Sequence, residues 1–600
     1  MKNFKNNFYM LKIIWSAAPE RIIAELAAII TVCTVDILYD LFFMRFLIEC
    51  LQRKVEFASV AAVIIGYFLA SFTARVINTY DSYCVYKQSG VKIQEKMMEM
   101  IYRQAVRMDL DCYEDAKFYD TYTRANEEIL TRMDEVLNLM AEVVAVIFSL
   151  AGYGAAVLVY DPFLAPFLVA ALAVSRLLQK KYVQYASKRQ NEAVHQRRRM
   201  DYAKRIVYLQ DYAKDLRLTN IFAPVMRNFH RAAAEARQIT GQYGKKAGVY
   251  RVLGSLVSNL TVFIGVNGFI LYRFLLAHAY PLGTMTTILN AANGLNDCLS
   301  ELVRISGAIQ TNGIFIENFR TFVEYEPKMK DSPGAPDVQQ GPHELELCDV
   351  SFAYHGSGKK VPNHLNIRIP AGQKVAFVGH NGAGKSTLVK LLMRLYDPTE
   401  GTIRLDGVDV RDYRIKSYRE QFATIFQDFK VFAASVAENV LLDSINGEED
   451  MKRVRQALKD SGIWNKVERL PHGTDSILTK EFDEDGVLMS GGEQQKLAVA
   501  RVFAGAGSIA VLDEPSSALD PISEYEIFEN MMKACEGKTV IFVSHRLSSA
   551  TLADMVYLFE NGQVIEQGSH HELLLRNGKY AEMFRMQAEK YKESAKEEQA

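Results

Sequence analysis

The chain has 600 residues, 49 % of them hydrophobic and 24 % charged, with 70 Lys and Arg against 71 Asp and Glu. That length exceeds one compact core and calls for two or more domains. The near-zero net charge speaks against a general nucleic-acid binder, and seven scattered cysteines without a CxxC pair indicate neither a zinc site nor a disulfide framework.

The mean hydropathy of −0.05 fits a chain that is half membrane and half soluble. The first twenty residues read as an amphipathic lead-in, not a removable signal. No peptidase domain is expected ahead of the first helix, so the chain is not expected to trim leader peptides. Six apolar stretches long enough to span about 30 Å of hydrocarbon follow. They lie near 22–50, 57–80, 136–159, 162–186, 248–277 and 284–308. The third and fourth are joined by "YDPF", the fifth and sixth by "AHAYPLGT", so neither outer loop holds a domain.

The connections after the second and fourth spans are long, polar and helix-compatible. The later one carries "KRQNEAVHQRRRMDYAKR", and excess Lys and Arg marks the cytoplasmic side. Both long connections and both termini are therefore expected in the cytoplasm. Segments 111–125 and 214–229 interrupt these connections and are expected to dock onto the second half.

Within the spans, Asp36 and Asp40 share one helix face, and Asn290, Asn293 and Asp297 recur at helical spacing. One reading is a wet, acidic path suited to a cationic or polar substrate. The other is helix–helix hydrogen bonding that only supports packing.

At 326–343 proline, glycine and charge cluster, which marks a linker. It separates a transmembrane domain, 1–325, from an α/β domain, 344–600, with a helical tail. "GHNGAGKST" (379–387) follows the strand "KVAFV" and opens a helix, the context of a phosphate-binding loop. Its glycines, Gly379, Gly382 and Gly384, let backbone N–H groups close on phosphate, with Asn381 and Thr387 in the same loop. Lys385 is placed for the β and γ phosphates and Ser386 for Mg²⁺. The apolar strand "SIAVLDEP" ends in Asp513, a Mg²⁺ ligand through water, and Glu514, a general base for the attacking water. Tyr354 is a candidate for adenine stacking, Gln427 for Mg²⁺ and water, and His545 for the γ-phosphate. "SSALD" supplies Asp520. A second anion-binding pattern, "LMSGGEQQ", places Ser490, Gly491, Gly492 and Glu493 at a helix start.

These residues, in this order, resemble the nucleotide-binding domain of ATP-binding cassette (ABC) transporters over about 345–585. The six-helix half is similar to the exporter-type transmembrane domain. The resemblance implies ATP and Mg²⁺ as cofactors, an ATPase coupled to transport, and a multi-pass protein of the bacterial cytoplasmic membrane. With one cassette and six spans it also implies a half-transporter needing a second subunit, identical or different. Members close Ser490–Gly492 on the γ-phosphate held by the partner. In this sequence Met489 replaces the usual Leu and Glu493 the usual Gln. Glu493 is either a tolerated variant near the ribose or the mark of one weakened site in an asymmetric pair. The expected partners are lipid, that second subunit and a transported peptide, drug or lipid, with no nucleic acid. An importer on the same fold and an ATP-gated sensor or channel remain the alternatives.

Overall fold

Two units make up the chain in a computed structural model that describes residues 2–513, 528–529, 531–532, 535–544 and 547–597. One comprises Met1–Val106 and Asp120–Tyr325; the other comprises Arg107–Tyr119 and Glu326–Ala600. The short segment 107–119 thus belongs with the C-terminal domain, although it lies between membrane helices in sequence.

The first unit is all helix. Helical rods occupy each of the six expected positions: 19–53, 57–107, 116–160, 165–192, 222–275 and 282–323. Among the described residues, three are long and apolar enough to cross a membrane: Pro19–Arg53, Phe57–Arg107 and Arg132–Tyr160. Only 6 % of the apolar window of the second is buried within the chain. Phe68, Leu69 and Phe72 stand exposed on it. A helix apolar all round and unburied is suited to lipid.

The helix Ala116–Tyr160 has 45 residues, roughly 70 Å at 1.5 Å per residue. That is more than twice the hydrocarbon thickness, so the rod extends well past it. It ends at Asp161, whose carboxylate accepts from the Phe163 N–H and pairs with Arg273 at 3.3 Å. Pro162 then opens the short 3₁₀ turn that reverses the chain. Val146, Tyr153, Val157, Ile270, Ile288 and Ala292 form the apolar core of the bundle.

In the second unit, β1 (Leu345–Ser351), β2 (Leu365–Ile369), β4 (Glu400–Leu405) and β5 (Val408–Asp409) form an antiparallel sheet in the order β2-β1-β4-β5. A second sheet runs in the order Gln563–Gly568, Met555–Glu560, Lys374–Gly379, Thr539–Val543, Ile509–Asp513, Phe422–Ile425. It comprises β3 (Lys374–Gly379), β6 (Phe422–Ile425), β7 (Ile509–Asp513), β8 (Thr539–Val543), β9 (Met555–Glu560) and β10 (Gln563–Gly568). Its pairings are parallel except at β9–β10. The strands β7 and β8 are buried at every position, as expected of a parallel sheet covered on both faces. Separate apolar clusters lie against the sheets, one around Leu388, Val389 and Phe377 and another around Val499, Phe528 and Phe542. A helical subdomain packs around Val440, Leu458 and Leu497.

Candidate functional site

The C-terminal ends of β3 and β7 lie two strands apart in one sheet, with β8 between them, and this places the phosphate loop beside Asp513. Gly379 ends β3 at φ +147°, where an added Cβ would lie 2.3 Å from the Phe559 carbonyl oxygen. Only glycine fits that backbone and that gap. The helix Lys385–Leu392 begins directly after Gly384. Lys385 is buried and its Nζ donates to the carbonyls of Gly379 at 2.8 Å and His380 at 3.0 Å. Those bonds fold the ammonium back over the loop's own backbone.

Ser386 Oγ lies 3.4 Å from Asp513 Oδ1. A cavity of about 500 Å³ opens beside Ser386. Eight expected residues line it: Tyr354, Asn381, Gly382, Gly384, Lys385, Ser386, Thr387 and Gln427. Hydroxyl, carboxylate and amide oxygens at Ser386, Asp513 and Gln427 are the hard donors that suit Mg²⁺. Tyr354 meets Thr387 Oγ1 at 3.2 Å and stands edge-on to Phe352 and Tyr396, so its ring direction is fixed. Sequence reasoning missed two lining residues, Lys359 and Val361. They lie in a loop without a motif, and only the fold brings them to the cavity. Glu514, Asp520 and His545 lie outside the described residues.

Ser490, Gly491, Gly492 and Glu493 are not among the residues lining this cavity. They begin the helix Gly491–Ala504. Ser490 and Glu493 form a reciprocal capping box. The Ser490 N–H donates to Glu493 Oε2 at 2.9 Å, and the Glu493 N–H donates to Ser490 Oγ at 3.4 Å. Lys466 Nζ sits 3.3 Å from the other carboxylate oxygen. The backbone bond from Ser490, then Lys466, hold the Glu493 carboxyl below its ordinary range. Met489 is buried in the helical subdomain's core, as an apolar residue replacing Leu should be.

Segment 107–119 packs within the second unit. Leu110 packs against its apolar cluster, and the Tyr396 hydroxyl donates to Glu114 Oε1 at 2.7 Å. Asp109 accepts from the Lys328 N–H at 2.7 Å, and Lys328 Nζ pairs with Asp111 at 2.7 Å. Segment 214–229 lies in the first unit and spans a short helix, a turn and the start of Phe222–Leu260.

The five expected path residues separate into two groups. Asp40 accepts from the Tyr153 hydroxyl at 2.7 Å, and its backbone carbonyl accepts from Asn290 Nδ2 at 3.0 Å. Thr287 Oγ1 reaches the next carbonyl, Leu41, at 3.2 Å. These carbonyls lie in a π-helical segment, Tyr39–Phe43, whose wider turn offers them to a neighbouring helix. Asp36, Asn293 and Asp297 stand exposed on the chain. A separate polar cavity of about 550 Å³ in this unit holds none of the five. It surrounds buried Arg21, which chelates both Asp81 oxygens at 3.0 and 3.1 Å and pairs with Glu25 at 2.6 Å.

Comparison with known proteins agrees with this geometry. Residues 362–517 match the protein family described as ABC transporter. The ATP-dependent lipid A-core flippase of Vibrio vulnificus (strain YJ016) is 34 % identical over 307 residues, 51 % of each chain. That of Alcanivorax borkumensis is 32 % identical over 343 residues, 57 % of this chain and 58 % of the relative. The chain thus spans about half the length of the curated relatives it matches. A solved bacterial Atm1-family ABC exporter with ATP bound superposes with a TM-score of 0.77 at 21 % identity. That match covers 95 % of this chain and 98 % of the exporter, and it fixes the fold.

Proposed function

We propose that this chain, an ABC-type half-transporter of exporter architecture, couples ATP hydrolysis to export of an amphipathic substrate from a bacterial cytoplasmic membrane. The observation that carries the reading is Ser386, 3.4 Å from buried Asp513, in the wall of a cavity lined by the phosphate loop. In this reading the loop's backbone and Lys385 hold the triphosphate, Tyr354 flanks the base, and Val361 and Lys359 complete the cavity wall. Ser386, Asp513 and Gln427 would hold Mg²⁺, which would supply positive charge that neutralises the polyphosphate. Glu514 is the general base and His545 the γ-phosphate contact, both assigned from the sequence motif.

A second copy of this chain is the proposed partner, because one chain carries both complementary parts of the site. Its Ser490–Gly492 would close on the γ-phosphate, since a helix N-terminus attracts anions. Closure then draws on segment 107–119, which travels with the cassette, to move the membrane helices. The termini and cassette are proposed to be cytoplasmic, from the basic loops. Lipid is favoured over peptide or drug by the flippase names of the relatives and by the unburied apolar face of 57–80.

The test is hydrolysis by the full chain in lipid nanodiscs, measured across lipids, peptides and drugs, with Lys385→Ala as control. A rate that a lipid stimulates and that Lys385→Ala lowers about a hundredfold supports the reading. A wild-type rate equal to that of Lys385→Ala under every condition would overturn it.

A further inference from the structure

We infer that the polar cavity between the first three membrane rods seats the headgroup of a lipid that carries a primary ammonium, such as phosphatidylethanolamine, in the cytoplasmic leaflet. This goes beyond the ATP reading and takes from the proposed function only the placement of the rods in a membrane.

Depth comes first. The second rod opens with the 24-residue helix Phe57–Tyr80, roughly 36 Å at 1.5 Å per residue. The hydrocarbon is about 30 Å thick, so Asp81, the next residue, lies just beyond it among the headgroups. The first rod ends at Arg53, close in sequence to Phe57, and runs the opposite way. That brings Arg21 and Glu25 to the level of Asp81. There the second rod widens into a π-helical stretch, Asp81–Val85, closed by the Tyr86 N–H donating to the Asp81 carbonyl. Such single wide turns recur at functional sites.

The charges are graded from floor to rim. The side chains of Arg21 and Asp81 are 3 % and 7 % exposed, that of Glu25 18 %. Arg21 is spent on its own neighbours. Nη1 donates to both Asp81 oxygens, Nη2 pairs with Glu25, and the guanidinium lies 4.6 Å from the Tyr86 ring centre. One cation against two carboxylates leaves the floor with surplus negative charge. Lys87 stands exposed at the rim. Asn78, and Asn138 from the third rod, line the walls, and their side chains have no hydrogen-bond partner among the described residues. At about 550 Å³ the cavity is in the range of small-molecule sites.

The complementary ligand carries a hydrogen-bonding cation at one end and an anion a few bonds away. A primary ammonium brings three N–H donors to Glu25 and the asparagine oxygens, and the adjoining phosphate then meets Lys87. A choline headgroup has the charge without an N–H donor, and a glycerol headgroup has no cation. Each therefore satisfies only part of the site.

The test is native mass spectrometry of the full chain in detergent, with phosphatidylethanolamine, phosphatidylcholine and phosphatidylglycerol of equal acyl length. The ethanolamine lipid should bind about tenfold tighter than the other two, the scale of one charge-assisted hydrogen bond partly screened by water. Glu25→Gln, which still offers Arg21 an acceptor, and Lys87→Ala should each remove most of that preference. Asn78→Leu/Asn138→Leu touches none of the Arg21 pairs and should weaken the ethanolamine lipid several-fold with Tm unchanged. Equal binding of the three lipids by the wild type overturns the inference, as does a preference that survives in folded Asn78→Leu/Asn138→Leu. Soluble phosphoethanolamine bound as tightly as the lipid would overturn a lipid as the occupant. None of these results touches the ATP reading, which falls instead with the absence of Lys385-dependent hydrolysis and leaves lipid binding as it is.

Discussion

Tyr396→Phe probes how segment 107–119 is held. The ring packs against Phe352 and Tyr354 and stays in place in the variant; only the hydroxyl is lost. That hydroxyl is buried and bonded to the Glu114 carboxylate, and burial first, then Glu114, pushes its pKa up. It is therefore a donor throughout the neutral range. A hydrogen bond to a charged acceptor contributes about 1.5–3 kcal/mol. Glu114 is exposed, however, and water replaces the lost donor, so about 1 kcal/mol is the expected cost. The Lys328–Asp111 pair, the Asp109 bond and the Leu110 contact remain, so the segment loosens without leaving. One kcal/mol is about a fivefold rise in the undocked population. Hydrogen exchange on the full chain should show amides of 107–119 exchanging about five times faster, with those of the helix Gly491–Ala504 unchanged. Transport per ATP should fall while ATP hydrolysis persists. Unchanged exchange at 107–119 would refute the assignment of that hydrogen bond as a holding contact.

Three further outcomes follow from other contacts. Arg21→Ala leaves buried Asp81 and half-buried Glu25 without their cation and should cost about 3–5 kcal/mol, read as a fall in Tm in detergent. Arg21→Ala/Asp81→Asn should recover part of it. Gly294→Ala puts a Cβ 2.7 Å from the Tyr153 ring, so the ring must move and its bond to Asp40 lengthens. A loss of about 1–3 kcal/mol is expected by thermal unfolding, with Gly241→Ala, which meets open space inside the helix Phe222–Leu260, as the control that loses no stability. Glu438, Glu493 and Glu572 each close a capping box and each has a lowered pKa, led by the backbone bond from the capping serine at Glu493 and Glu572 and by its hydroxyl at Glu438. Their stabilisation is present above the unfolded carboxylate value of about 4.3 and is lost as pH falls through the folded values. First-turn amides of these helices should therefore exchange faster in acid, and Glu493→Gln, which cannot titrate, should abolish that pH dependence at 491–493.

The phosphate loop was legible because its chemistry demands residues at fixed spacing in one chain segment. Strand, glycines, lysine and hydroxyl follow in order at 374–387, and the fold class follows from that alternation. Lys359, Val361 and Lys466 were not legible, because each reaches its place through tertiary packing and belongs to no motif. Glu493 is the instructive residue. Compared with the motif it stood as a departure near the nucleotide, with two readings open. Its own local pattern, Ser-x-x-Glu before a helix, spells a capping box, and the structure shows that box formed. The path residues Asp40 and Asn290 were grouped by helical spacing, which gives the face of a helix and not its partner. The π-helical turn at Tyr39–Phe43 decides that partner, and nothing in the sequence announces it.

In the proposed function each ATP site is built from two chains. Mixing two inactive variants, Lys385→Ala and Ser490→Arg, in one membrane preparation tests that arrangement. In a mixed pair, the intact phosphate loop of one chain faces the intact Ser490–Gly492 of the other. Random pairing makes half the dimers mixed, with one of two sites complete, so about a quarter of the wild-type ATPase rate should return. No recovery at any mixing ratio, with both variants folded and dimeric, would contradict the claim.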